Sequence, residues 1–118
     1  MTNLRDKRIL LVEDEALIAA MVSDMLADLG ATVVGPANSL PKALALAQSA
    51  DFDAAVLDVN LQGERVDAVA DLLIGRGIPV LFASGYGAAA IRGQAAIDKP
   101  YTQDKLAQAL SAVMAGVK

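Results

Sequence analysis

Five side chains with chemistry to offer each follow a short apolar run. Glu13-Asp14 comes after "RILLV" (8–12), and Asp58 lies near the end of "AAVLDV" (54–59), with Asn60 two residues on. Ser84 follows "IPVLFA" (78–83), and Lys99-Pro100 follows "AAID" (95–98). If Glu13, Asp14 and Asp58 meet, their mutual repulsion is relieved by a hard divalent cation. Mg²⁺ suits such oxygen ligands and keeps several waters, binding one or two carboxylates plus a phosphoryl oxygen. The backbone carbonyl of Asn60 could complete the protein's share. A carboxylate beside that ion can attack an activated phosphoryl group and become an aspartyl phosphate. Lys99 and the Ser84 hydroxyl would spread the charge on the phosphoryl oxygens. Asp58 is the candidate nucleophile, because it leaves the middle of the fold.

Taken singly, each residue has an ordinary explanation. Acids after a first strand suit the positive end of the next helix, and Asp is common in turns. Ser84 beside Gly85 reads as a loop hydroxyl, Lys99 as a solvated lysine and Tyr86 as loop packing. The case for chemistry is that complementary groups recur at one edge.

That edge depends on the elements between the motifs. "RILLV" is short, continuous and β-rich, as in a strand buried on both faces. Leu17, Ile18, Met21, Met25, Leu26 and Leu29 recur at helical spacing, and Gly30 follows as a C-cap. "ATVVG" (31–35) predicts a second strand, and Ser39 caps a helix over about 40–49, where Leu40, Leu44 and Ala47 share a face. Residues 54–59 form a third strand, and Val66, Val69, Ala70 and Leu73 mark a third helix. Residues 78–83 form a fourth, with Pro79 near its start, where a missing donor is tolerated. Residues 95–98 form a fifth. Thr102 caps a last helix whose buried stripe is Leu106, Leu110, Val113, Met114 and Val117. This alternation predicts an α/β fold, a doubly wound parallel sheet with helices on both faces. In such sheets ligands bind outside the carboxyl ends of the strands, where the strand order reverses.

Composition removes several classes of function. The chain has 118 residues, enough for one domain and one core, and 55% are hydrophobic. There is no cysteine, hence no disulfide and no thiolate metal site, which fits a reducing cytoplasm. No segment reads as a signal peptide or a membrane span. A net charge of −4 without a dense basic stretch argues against nucleic-acid binding. The chain contains no histidine, so any phosphohistidine must come from a partner.

In these residues the sequence resembles the receiver domain of two-component response regulators over nearly its whole length. The matching positions are Glu13-Asp14, Leu57-Asp58-Val59-Asn60, Ser84 and Lys99-Pro100. The resemblance implies a flavodoxin-like strand order 2-1-3-4-5. It implies phosphotransfer from a histidine kinase or phosphotransfer protein to Asp58, with Mg²⁺. It also implies a cis bond between Lys99 and Pro100, with Asp14 as direct metal ligand and Glu13 acting mainly through water. Where ordinary receivers carry an aromatic switch three residues before the lysine, this chain has Ala96. Only fifteen positions separate Ser84 from Lys99. "FASGYG" resembles a receiver subfamily with a Phe-Ala-Thr-Gly motif followed by an aromatic, associated with kinases of the HWE-related type. That likeness implies a short or irregular fourth helix. It leaves Gly85, Tyr86 and Gly87 as the candidate switch and output segment, with Tyr86 the nearest aromatic to report phosphorylation.

The expectation is a single receiver domain over 1–118, with no effector domain, signalling in the cytoplasm by contact with a downstream protein. Two rival readings stand beside it. A hydrolase working through an aspartyl phosphate would want a second acid two residues after Asp58, and that position is Asn60. A degenerate receiver serving only as a binding module would not need the full set of Glu13, Asp14, Asp58, Ser84 and Lys99. A flavin or dinucleotide binder is weaker, since no glycine-rich loop follows the first strand.

Overall fold

The computed structural model describes residues 4–49, 51–61, 64–84, 95–99 and 101–115; for residues 60, 61, 64, 65 and 84 it describes the backbone alone. The elements run β1 (Arg8–Val12), α1 (Ala16–Asp28), β2 (Thr32–Ala37), α2 (Leu40–Ser49) and β3 (Ala54–Asp58). A two-residue pair, β4 (Asn60–Leu61) and β5 (Glu64–Arg65), comes next, then α3 (Asp67–Gly75), β6 (Val80–Ser84), β7 (Ala95–Asp98) and α4 (Gln103–Met114). Strands β2-β1-β3-β6-β7 form one sheet in that order, every pairing parallel. This is the expected doubly wound sheet, with the order reversing between β1 and β3.

Strand alternation divides the core between the two sheet faces. Ile9 and Leu11 of β1, Ala54 and Val56 of β3, and Leu81 and Ala83 of β6 pack with Val22 and Leu26 of α1 and Leu106 and Leu110 of α4. Leu10, Val12, Ala55, Leu57, Val80 and Phe82 face the other way, onto Ala43 and Ala47 of α2 and Val69, Ala70 and Leu73 of α3. All of β3 is buried, which accounts for its unbroken apolar run. Leu4, ahead of β1, is only 1% exposed; its N–H donates to the Leu29 carbonyl at 2.8 Å, and its side chain closes the α1/α4 cluster.

The caps fall where expected. Gly30 follows α1 at φ +89°, a backbone region open to glycine. Thr102 Oγ1 accepts from the Lys105 N–H at 3.2 Å, and Ser39 Oγ accepts from that of Lys42 at 3.4 Å, a longer bond.

Four expectations need correction. Strand two begins at Thr32 and reaches Ala37, because a register irregularity between Leu10 and Val12 lets an edge strand carry Gly35-Pro36. Strand four begins at Val80, since the Ile78 N–H donates back to Leu73 and belongs to the turn after α3. The α1 stripe is narrower than its periodicity suggests: Leu17 is 75% and Met21 49% exposed, while Ala19 and Val22 are buried. The β4–β5 pair was not anticipated. Val117 and the segment assigned to a short or irregular helix, within 85–94, lie outside the described residues.

Candidate functional site

Alternation also aims the chemistry. Glu13 continues the set Ile9, Leu11; Asp58 continues Ala54, Val56; Lys99 continues Ile97. Each therefore emerges on the α1/α4 side at the carboxyl edge of adjacent parallel strands. The Asp58 backbone is pinned on both sides. It pairs with Ala83 of β6, the Val59 N–H donates to the Ala83 carbonyl at 3.1 Å, and the Val66 N–H donates to the Val59 carbonyl at 3.2 Å.

The side chains converge. One carboxylate oxygen from each of Glu13, Asp14 and Asp58 lies within 4.8 Å of the others. Glu13 and Asp58 are buried, and Asp14 is half-buried. Lys99 Nζ lies 2.8 Å from Glu13 Oε1 and 3.3 Å from Asp58 Oδ1. The second Glu13 oxygen accepts the N–H of Glu15, the residue at the N-cap of α1. Glu13 is thus held by an ammonium on one side and a helix start on the other.

Three carboxylates against one ammonium leave surplus negative charge. Asp58 registers it: burial first, then the neighbouring Glu13 charge, push its carboxyl up to about 7 against the opposing pull of Lys99. Burial would lower the Lys99 pKa, but its bond to Glu13 and the Asp58 charge outweigh that, and the ammonium is held above its ordinary value. Burial, and then the charges of Glu13 and Asp58, push the Tyr101 hydroxyl up. The donor set, all oxygen with excess negative charge, fits a hard divalent cation. A cavity of about 310 Å³ opens beside Glu13 and Asp14, between α1 and the start of the β2–α2 connection; Ser23, Pro36 and Asn38 help line it.

Of the residues read from the sequence, Glu13, Asp14, Asp58 and Lys99 come together. The Asn60 backbone stands in β4, two residues beyond Asp58, paired with Arg65. The Ser84 backbone ends β6, paired with Asp98 and adjacent to the residue opposite Asp58. Ala96 packs partly buried against the α2/α3 cluster. Gly85, Tyr86, Gly87 and Pro100, and with Pro100 the expected cis bond, lie outside the described residues. Tyr101 was missed. No periodic pattern marks it in the sequence, since β7 ends at Asp98 and Tyr101 lies beyond it.

Comparison with known proteins follows this geometry. The family model of the response regulator receiver domain matches residues 9–111. No curated protein sequence matches closely enough to count as a relative. Among solved structures, SdrG from Sphingomonas melonis Fr1 is 40% identical with a TM-score of 0.81, covering 92% of this chain and 97% of SdrG. The BeF3-activated conformation of SdrG, from Pseudomonas melonis Fr1, is also 40% identical, with a TM-score of 0.77 and coverages of 97% and 99%. The response regulator PhyR from Brucella abortus is 28% identical with a TM-score of 0.82; the match covers 97% of this chain and 50% of PhyR. Sheet order, the meeting of Glu13, Asp14, Asp58 and Lys99, and the match over residues 9–111 agree: the chain belongs to the response regulator receiver domain family.

Proposed function

We propose that this receiver is a phosphoacceptor: Asp58 takes a phosphoryl group from a phosphohistidine on a partner and passes the signal on by protein contact. The observation that carries this reading is the convergence of Lys99 on Glu13 and Asp58 beside a third carboxylate. An Asp58 carboxylate oxygen attacks phosphorus, the P–N bond to the partner's imidazole breaks, and its electron pair returns to the ring nitrogen. A phosphohistidine donor would lie on the partner, since this chain has no histidine.

Glu13, Asp14, Asp58 and the Asn60 carbonyl would hold Mg²⁺. When bound, that ion supplies positive charge that offsets the carboxylates and favours the ionised form of Asp58. Lys99, already 3.3 Å from Asp58, is placed to accept the phosphoryl charge as it arrives. Ser84, at the end of β6, is assigned the phosphate-sensing hydroxyl. Residues 85–95, with Tyr86 at their start, are assigned the response. The likeness to the Phe-Ala-Thr-Gly subfamily supports a donor of the HWE-related type, and a chain without cysteine fits work in a reducing cytoplasm. Among the described residues, no helix is long and apolar enough to cross a membrane.

The test is incubation with acetyl phosphate and Mg²⁺ followed by intact mass measurement. Wild type should gain one phosphoryl group, and Asp58→Asn none. Equal labelling of both would remove Asp58 from this role, and rapid turnover of simple phosphate monoesters would make the chain a hydrolase instead.

A further inference from the structure

A second feature borders the site. Between α1 and the segment after β7 runs an apolar groove of about 210 Å³, lined by Ile18, Met21, Val22, Met25, Lys99 and Tyr101. One of them, Lys99, belongs to the site as well. Lys99 bonds Glu13 and approaches Asp58, and Tyr101 lies within the electrostatic reach of both acids. The Tyr101 ring also packs on the α1/α4 core, so one aromatic is shared by the core and the groove.

We propose that Tyr101 is a positioning residue that couples the state of Asp58 to the shape of this groove. The inference rests on the phosphoacceptor reading. In the unmodified chain, the Lys99 ammonium is divided between Glu13 and Asp58. A phosphoryl group on Asp58 places additional negative charge farther out than the carboxylate, and Lys99 shifts its bonds from Glu13 toward it. The lysine stem is part of the groove wall, so it cannot move without altering that wall. On the far side, Thr102 caps α4 and anchors the chain one residue beyond Tyr101. The displacement is therefore absorbed by the Tyr101 ring, which presses on Met21 and Met25 across the groove. By linkage, anything that fixes the groove in one shape shifts the equilibrium between free and phosphorylated Asp58 by the same coupling free energy.

Methionine methyl NMR on the full chain tests this directly, because Met21 and Met25 line the groove while Met114 packs on the same core outside it. Protein labelled with ¹³C at the methionine methyls is treated with Mg²⁺ and acetyl phosphate, with phosphorylation followed by intact mass. The Met21 and Met25 methyls should shift as the phosphorylated mass appears, and Met114 should stay nearly still. Tyr101→Phe should keep this response, whereas Tyr101→Ala should take up phosphoryl yet lose about half or more of it. If the alanine variant does not fold, Tyr101→Leu replaces it, keeping apolar bulk without the ring. Phosphorylated wild type with unmoved Met21 and Met25 overturns the coupling, as does a full response in Tyr101→Ala or Tyr101→Leu. Absence of the phosphorylated mass in wild type overturns the phosphoacceptor reading itself, and the coupling with it.

Discussion

Lys99 is bonded more closely to Glu13 than to Asp58: its Nζ lies 2.8 Å from Glu13 Oε1 and 3.3 Å from Asp58 Oδ1. The ammonium supplies part of the counter-charge that the three clustered carboxylates require. Removing it leaves Glu13, only 3% exposed, facing Asp58 without that counter-charge. In metal-free buffer at pH 8, Lys99→Met should lower unfolding free energy by about 2–4 kcal/mol. Adding Mg²⁺ should restore more stability to this variant than it gives wild type. Urea denaturation with and without the ion checks both.

Asp58 has the opposite pH signature from most paired acids. Its folded pKa, about 7, lies above the ordinary value of 3.8, so between these values the folded state binds more protons than the unfolded one. Stability from this group is greatest below about pH 4 and falls as pH rises toward 7. Asp58→Asn removes that dependence. In the absence of metal it should differ little from wild type at pH 4.5 and be more stable at pH 8, by about 2 kcal/mol. Thermal melts at the two pH values measure the difference.

Gly35 and Gly77 both sit at positive φ, yet should respond differently to alanine. At Gly35 (φ +101°) an added Cβ would stand 2.7 Å from the Ala37 nitrogen and 3.0 Å from the Leu11 carbonyl oxygen. At Gly77 (φ +77°) it would meet nothing within 4 Å. Gly77→Ala should cost about 1 kcal/mol, from backbone strain alone. Gly35→Ala should cost about 3 kcal/mol or more, since the strand must also shift beside the site. Chemical denaturation of the two variants ranks them.

On α1, exposure and not hydrophobicity should set the cost of truncation. Leu17→Ala is expected within about 0.5 kcal/mol of wild type, because that side chain is 75% exposed. Leu26→Ala, at a fully buried position, should cost about 2–5 kcal/mol. Equal losses would mean that Leu17 is covered in solution.

Much of this arrangement is legible in the residues. The run at 54–59 reads as a strand, and the strand Ala54–Asp58, buried throughout, delivers Asp58 to the edge. Period-two counting from Ile9, Ala54 and Ile97 then sends Glu13, Asp58 and Lys99 to one face. What escapes such reading depends on small residues and on partners distant in sequence. The α1 core face is set by Ala19 as much as by Leu26, because alanine permits close approach to the sheet, so Leu17 and Met21 are left outward. The extension of β2 depends on a shift in its pairing with β1, which a single-strand pattern does not carry. The short β4–β5 pair has a faint sequence signal in Gln62-Gly63, a two-residue connection ending in glycine. Tyr101 had no periodic pattern to join, and only the meeting of three elements gives it neighbours.

Leu4 bears on where this domain can be cut. The family match begins at residue 9 and β1 at Arg8, so a recombinant fragment trimmed to either boundary looks complete. It would nevertheless lose a side chain that is 1% exposed, together with its bond to the Leu29 carbonyl. The opening left under α1 lies at the opposite end of the sheet from Asp58. Such a fragment should keep its acidic site while becoming easier to digest with protease, and affinity tags belong upstream of Leu4.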